Sequence, residues 1–361
     1  MDKKRKFSVC SGFLGAGKTT AMLAVANYLE KTGCKTALIC NDLGDGNLVD
    51  GLYTAENCRC SCTIAGGCIC YNTETLVDKI RRFTDEQGAG LVISDIPGCG
   101  VGALDHVYFK LAREYPGEFD LAPFTVVCDP LRLHAIMPGK ERPRLPEEMD
   151  YLFRTQLLEA DAIVFNKTDT VSQEEREECI AFLKETFPGV PVFATSAKTD
   201  EGIPALAEHM RAASARLTEI DTGYGGPAFM AAEEKLSWYD RRFTLTADAP
   251  FDANEAARFY METAARLFIE ADRNVPHLKL FAMGRENDYL KLSLIDAYAP
   301  LSIDREAKHP AGSFTFYVNA RAAAESEKTA ALLESTLQQT AAHCGAAYEI
   351  KETEYFGMTD D

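Results

Sequence analysis

The stretch FSVCSGFLGAGKTT, residues 7–20, constrains the fold more than any other part of the chain. Phe7 to Cys10 read as a short buried strand. The residues after Lys18 carry Ala21, Leu23, Ala24, Ala26, Tyr28 and Leu29, a set that suits a buried helix ending near Gly33. Between the two, Gly12, Gly15, Gly17, Lys18 and Thr19 fill the pattern G-x-x-x-x-G-K-[ST]. In a strand–loop–helix setting such a loop wraps phosphates in backbone amides, its lysine reaches the outer two phosphates, and its hydroxyl ligates Mg²⁺. The helix that follows adds the positive end of its dipole. Ala16 and Thr20 complete the expected phosphate-contacting run. The fold class that follows is α/β: a P-loop nucleotide-hydrolase domain with a mostly parallel sheet.

Two later strand ends supply the rest of a nucleotide site. ADAIVFNKTD is an apolar strand, Ala162 to Phe165, that delivers Asn166, Lys167 and Asp169 to a loop. A carboxylate there accepts from the ring N–H and exocyclic amine of guanine, a donor pair that adenine lacks, so GTP is favoured over ATP. VPVFATSAKTDEG ends in Ser196, Ala197 and Lys198, expected to back the base with a loop amide and a lysine stem. AGLVISDIPGCG is a buried strand ending in Asp95 and Gly98, placed where a carboxylate would hold the Mg²⁺ water shell and a glycine amide would meet the γ-phosphate. Lys18 and Asp95 are the expected catalytic pair.

Taken in order, SGFLGAGKTT, NDLGDGNLVDG, GGCICYN, VISDIPG, QLLEADAIVFNKTD and TSAKTDEGI resemble the CobW-type GTPases, relatives of the GTPases that handle nickel and cobalt for urease, hydrogenase and cobalamin synthesis. The resemblance covers most of residues 5–210. It implies that Asn41 and Asp42 lie in the first switch, where the family has Asn and Glu, and that Asp42 joins Thr19 and Asp95 around Mg²⁺. Asp95 also replaces a family Glu; both changes keep the charge and shorten the arm. The family's cysteine motif is C-x-C-C. Here Cys68 and Cys70 fill its first two positions, and Tyr71 stands at the third.

The segment NCRCSCTIAGGCICYN places Cys58, Cys60, Cys62, Cys68 and Cys70 within residues 57–72. Soft thiolates select Zn²⁺, Cu(I) or iron–sulfur clusters. Each close pair is separated by one residue, whereas structural zinc sites mostly use two to four, so a functional site for Zn, Co, Ni or an iron–sulfur cluster fits better than a standing zinc knuckle. Cys99, just after the second switch, is a further candidate. Reduced, unliganded thiols or an incidental disulfide are the alternative. The cluster lies between the two switch segments, which γ-phosphate and Mg²⁺ order and hydrolysis relaxes, so nucleotide state can alter thiol geometry.

A net charge of −17 argues against a nucleic-acid partner, whose phosphates are neutralised by Lys and Arg. No apolar run approaches a membrane span, and the basic start MDKKRKF continues into the strand and glycine loop rather than a secretory signal; the expected compartment is cytoplasmic. The expected organisation is a P-loop domain over residues 1–220 with the cysteine loop at 57–72, a linker at 221–232 and a smaller α+β domain over 233–361. Strands and two helices (about 254–271 and 322–343) in the last part suit a ferredoxin-like β-α-β-β-α-β layer with one additional strand, assigned to partner recognition. A helix is also expected around 202–216.

The leading expectation is a Mg²⁺-dependent GTPase that gates delivery of a metal or metal cofactor to a client metalloprotein, a corrinoid-dependent one included; a homodimer is left open. An iron–sulfur protein that activates or reduces a corrinoid or other metalloenzyme at the expense of nucleotide is the alternative. A third reading is a nucleotide-gated interaction module with inert cysteines.

Overall fold

The computed structural model describes residues 4–44, 49–98 and 100–357; Cys99 lies outside them. The described chain forms two compact units, one from residues 1–43, 50–143 and 150–229, the other from 44–49, 144–149 and 230–361.

In the first unit eight strands are all parallel: β1 (Arg5–Ser11), β2 (Thr36–Asn41), β3 (Ser61–Ile64), β4 (Leu91–Asp95), β5 (Phe119–Leu121), β6 (Thr125–Cys128), β7 (Ala162–Phe165) and β8 (Val192–Ala194). Their order is β3-β2-β4-β1-β6-β7-β8, with β5 also pairing with β1. Each of β2, β4, β6 and β7 is buried at every position, the mark of a parallel sheet covered on both faces. Because β1 lies at the point where the order reverses, its carboxyl end opens a crevice between β4 and β6. The glycine loop enters that crevice. The helix Lys18–Lys31 follows directly and buries Ala21, Met22, Leu23, Val25 and Leu29 against residues including Leu38, Ile93 and Val164. A second helix, Ile203–Ala212, packs into the same cluster through Ile203, Leu206 and Met210; it ends four residues short of the expected 216.

The second unit is a six-stranded antiparallel sheet of β9 (Ser237–Phe251), β10 (Asn274–Met283), β11 (Tyr289–Leu294), β12 (Ser302–Arg305), β13 (Ala311–Ala323) and β14 (Ala347–Gly357), in the order β12-β11-β10-β13-β9-β14. Strands β14-β9-β13-β10 with helices Ala253–Glu270 and Ser326–His343 make the ferredoxin-like β-α-β-β-α-β core. The additions number two, β11 and β12, where one was expected; the four-residue β12, Ser-Ile-Asp-Arg, is too short and polar at its edge to show in sequence. The second helix starts at Ser326 rather than near 322 because β13 runs on to Ala323. Phe243 and Phe316 stack with ring centroids 5.2 Å apart in a core closed by Tyr260, Phe268 and Leu337 from the two helices. A helix, Pro227–Glu233, begins within the stretch 221–232 and ends one residue beyond it. No helix among the described residues is long and apolar enough to cross a membrane.

Candidate nucleotide and thiol site

Three glycines shape the phosphate loop. Gly12, Gly15 and Gly17 have φ of 132°, 76° and 98°, conformations that side chains disfavour. Two of them also have no room for one. A Cβ on Gly12 would sit 2.1 Å from the Val127 carbonyl oxygen, and one on Gly17 would sit 2.4 Å from Asn166 Nδ2. Lys18 Nζ donates to the Gly12 carbonyl at 2.7 Å and to that of Phe13 at 3.3 Å, so the ammonium hangs over the loop it would share with phosphates. Thr19 is buried at the first turn of the helix, with Thr20 half-buried beside it.

The segment Asn166–Asp169 is stapled to this loop. Asn166 Nδ2 donates to the Ala16 carbonyl at 3.1 Å while Asn166 Oδ1 accepts from the Ala197 amide at 3.1 Å and from Thr195 Oγ1 at 3.3 Å. The loop amide expected to back a base is therefore engaged by Asn166, and buried Ser196 turns its hydroxyl to the Thr199 amide. Lys167, at φ 60°, extends its ammonium to the Gly15 carbonyl and to Asp129 Oδ2 at 3.0 Å. Asp169 and Lys198 are exposed. Asp129 was not apparent from sequence. It is fully buried; despite that burial, Arg132 and Lys167 hold its carboxyl below the usual range, so it works as a fixed negative anchor for the lysine stem. Its one sequence signal is Asp-Pro directly after a buried strand, a helix start with Asp129 accepting from the Arg132 amide at 2.9 Å.

Asp95 ends β4 and is 5% exposed. Burial pushes its carboxyl up to about 7, with the Asn41 amide and Lys18 pulling the other way. A buried carboxylate raised in this way is a group that a divalent cation would relieve, and Thr19 lies at the head of the adjoining helix, so the residues present fit Mg²⁺. Gly98 follows at a close approach: a Cβ there would sit 2.8 Å from the Leu14 amide nitrogen, and its carbonyl accepts from Gln156 Nε2 at 2.9 Å.

Asn41 joins the Asp95 carboxylate to the cysteine loop. Its backbone N–H donates to Asp95 Oδ1 at 2.6 Å. Its side chain donates to the carbonyls of Ile64 at 3.1 Å and Gly67 at 2.7 Å, and accepts from the Ile69 amide at 3.0 Å. One buried residue thus holds both the carboxylate and the turn that carries Cys68 and Cys70. Asp42, next along, accepts from the Leu43 amide on its carboxylate at 2.8 Å and donates its own backbone N–H to the Ile64 carbonyl at 3.3 Å.

The five clustered cysteines separate into groups. Cys68 and Cys70 lie with their sulfurs 2.8 Å apart. Hydrogen bonding from Cys70 holds the Cys68 thiol below its usual pKa, while that same bond, together with burial, raises Cys70. Cys58 turns its sulfur to the Cys60 carbonyl at 3.5 Å, and Cys60 turns its own to Gln87 Oε1 at 3.1 Å. Cys62 lies on β3 opposite Ile39. Burial raises all three, Cys62 to about 11. Of the clustered thiols the structure brings Cys68 and Cys70 together, while Cys58 and Cys60, candidates for a third or fourth ligand, are engaged elsewhere and Cys62 is held on strand β3. Among the described residues no three His, Cys, Asp or Glu side chains come together as a metal site, and the four thiolates of a common iron–sulfur cluster are not assembled.

The sequence profile described as CobW/HypB/UreG, nucleotide-binding domain, matches residues 6–194. Among characterised proteins, the zinc chaperone YjiA of Escherichia coli is 26% identical over 179 residues, 47% of this chain and 51% of that protein. The GTPase Obg of Lachnoclostridium phytofermentans is 31% identical over 139 residues, 38% of this chain and 32% of that protein. The chain thus spans about half the length of the first relative and a third of the second. Among solved structures, zinc-bound YjiA GTPase from E. coli aligns over 88% of this chain and 95% of its own, at 18% identity and a TM-score of 0.36. HypB from Helicobacter pylori in complex with nickel aligns over 57% and 84%, at 15% identity and 0.39.

Proposed function

The chain belongs to the CobW/HypB/UreG family, and from that premise we propose that it is a Mg²⁺-dependent GTP hydrolase that uses nucleotide state to gate a metal held by Cys68 and Cys70 for delivery to a client metalloprotein. The observation that carries this reading is the bonding of Asn41 to Asp95 on one side and to residues 64, 67 and 69 on the other. Any shift of Asp95 when the triphosphate site fills must move Asn41 or break its 2.6 Å bond, and Asn41 cannot move without displacing the turn that sets the sulfur separation. The thiol pair then has two arrangements, each favoured by one nucleotide.

Bound at Thr19, Asp95 and Asp42, Mg²⁺ would neutralise phosphate charge and polarise the γ-phosphoryl group. The chain's own residues do the rest. Backbone amides of residues 12–19 and Lys18 bind the phosphates; Asn166 and Lys167 fix the loop against the base-reading strand; Asp169 selects guanine. The cargo is a borderline or soft cation, since two thiolates present it with soft donors, and Zn²⁺, Co²⁺ and Ni²⁺ all suit them. With two protein thiols gathered, the remaining ligands come from solvent or from the client, an arrangement suited to handing a metal on.

Purified protein should release phosphate from GTP with Mg²⁺ and not from ATP, with Lys18→Ala abolishing release. Zinc loaded anaerobically should be retained to different extents with a non-hydrolysable GTP analogue and with GDP. Failure of GTP hydrolysis, or metal content indifferent to nucleotide, would remove the proposal.

A further inference from the structure

Beside the thiol pair lies an aromatic cluster that the nucleotide chemistry does not use. Tyr71, directly after Cys70, is 69% exposed, and its hydroxyl is hydrogen-bonded to that of Tyr224. Tyr224 belongs to DTGYGGPAF, a glycine-rich run that sequence composition reads only as a connector. In the structure it is tied down at several points. The Tyr224 ring meets His106 edge to face with centroids 4.7 Å apart, and Phe229 at 4.7 Å. It also lies over Gly102, where φ is +78° and a Cβ would stand 3.5 Å from the ring. Two residues back, the Thr222 carbonyl accepts from Tyr151 Oη. Beneath the strap the ledge is itself fixed: buried Glu159 accepts from the amides of Gly102 at 2.9 Å and Leu104 at 3.1 Å.

The ledge is held by buried bonds, whereas the strap carries a glycine on each side of Tyr224. Gly223 and Gly225 both have positive φ, at 62° and 72°, and Tyr224 keeps 39% of its surface exposed. Its one hydroxyl link to the cysteine loop is to Tyr71, so breaking a single bond frees that edge of the strap from the loop while the anchor at Thr222 holds.

We propose that residues 222–224 form a strap latched over the thiol loop by the Tyr71–Tyr224 hydroxyl pair, and that this latch controls how readily Cys68 and Cys70 meet a metal donor or acceptor. Tyr71 and Tyr224 are positioning residues: they ligate nothing and act through the loop. The inference rests on the reading of Cys68 and Cys70 as the metal-handling pair for its purpose, but not for its physical test. A tyrosine at the third position of the cysteine motif then has a role of its own in place of a missing thiol.

The test uses the full chain under reducing, anaerobic conditions. Alkylation of Cys68 and Cys70 by iodoacetamide is followed by mass spectrometry in the parent, in Tyr71→Phe, in Tyr224→Phe and in the double variant, alongside thermal unfolding. Each single variant keeps its ring and loses only the shared bond, so alkylation should quicken about fivefold, the worth of one neutral hydrogen bond, with the thermal midpoint lowered by no more than about 4 °C. The double variant should match the singles, because both remove one interaction. Zinc transfer to a chromogenic chelator should quicken by the same factor. Unchanged alkylation in both singles, or effects that add in the double variant, overturns the latch. Faster alkylation with no zinc held by the parent upholds the latch and sinks the metal-delivery reading instead.

Discussion

Replacing Asn41 with alanine removes three hydrogen bonds, at 2.7, 3.0 and 3.1 Å, from a side chain that is 6% exposed, and leaves the backbone Asp95 contact in place. Each neutral bond is worth about 1 kcal/mol net, so the turn at 64–69 should lose about 3 kcal/mol of local stability. That loss is local because the three partners lie between the last residue of β3 and Ile69, while β2 keeps its pairing with β3 and β4. Hydrogen exchange read on a peptide covering residues 65–72 should then quicken by about 100-fold, since each 1.4 kcal/mol is a factor of ten, with peptides from β4 and β6 unaffected. Asn41→Asp should be at least as harmful: it keeps the acceptor for Ile69 but turns two oxygen–nitrogen contacts into oxygen–oxygen ones. Exchange in Asn41→Ala within a factor of two of the parent would show that the turn is held by something else, and the bonding between Asp95 and the thiols would lose its middle member.

Glu159 is 2% exposed, and burial pushes its carboxyl up to about 7 against the pull of the Leu104 and Gly102 amides. A carboxyl raised on folding favours the folded state most below its unfolded value of 4.5, and that advantage is lost as pH rises through 7; the difference is about 3 kcal/mol, and Asp95 has the same sign. Glu159→Gln should therefore flatten the decline in urea stability between pH 5 and 8, and an unchanged decline would contradict the assignment. Gly12→Ala should abolish binding of a fluorescent GDP analogue, because its Cβ would meet Val127 backbone at 2.1 Å, whereas Gly33→Ala, with nothing within 4 Å, should cost only about 1 kcal/mol of strain at φ +87° and bind normally. Cys68→Ser and Cys70→Ser should each lower bound zinc, whereas Cys60→Ser should not; equal loss in all three would restore the larger thiol nest.

The phosphate loop was legible because its chemistry leaves few alternatives: positive-φ glycines, a lysine and a hydroxyl at fixed offsets between a strand and a helix serve one purpose. The parallel sheet followed from strands such as LVISD and AIVF that are apolar without alternation. What sequence could not supply was the grouping of the cysteines. Spacing alone treats Cys62 and Cys68 as neighbours, yet pairing of β3 with β2 commits Cys62 to the sheet while Gly66 and Gly67, both at positive φ, turn Cys68 away from it. Asn41 was placed in the first switch by resemblance, but its bonds to Ile64, Gly67 and Ile69 depend on the partner strand's register. Asp129 and Tyr224 escaped for a similar reason, since a buried anchor and an aromatic strap are made by contacts 38 and 153 residues away in the chain. The short β12 escaped because four polar-edged residues carry no periodicity.

In the proposed switch the guanine nucleotide and the thiol pair share one free energy through Asn41. The dissociation constant of Zn²⁺ from the full chain, measured anaerobically with Mg²⁺ and either a non-hydrolysable GTP analogue or GDP, tests it directly. The two constants should differ by about tenfold, a coupling of about 1.4 kcal/mol, and the difference should collapse in Asn41→Ala while nucleotide affinity persists. Equal zinc affinity in both nucleotide states of the parent would contradict it.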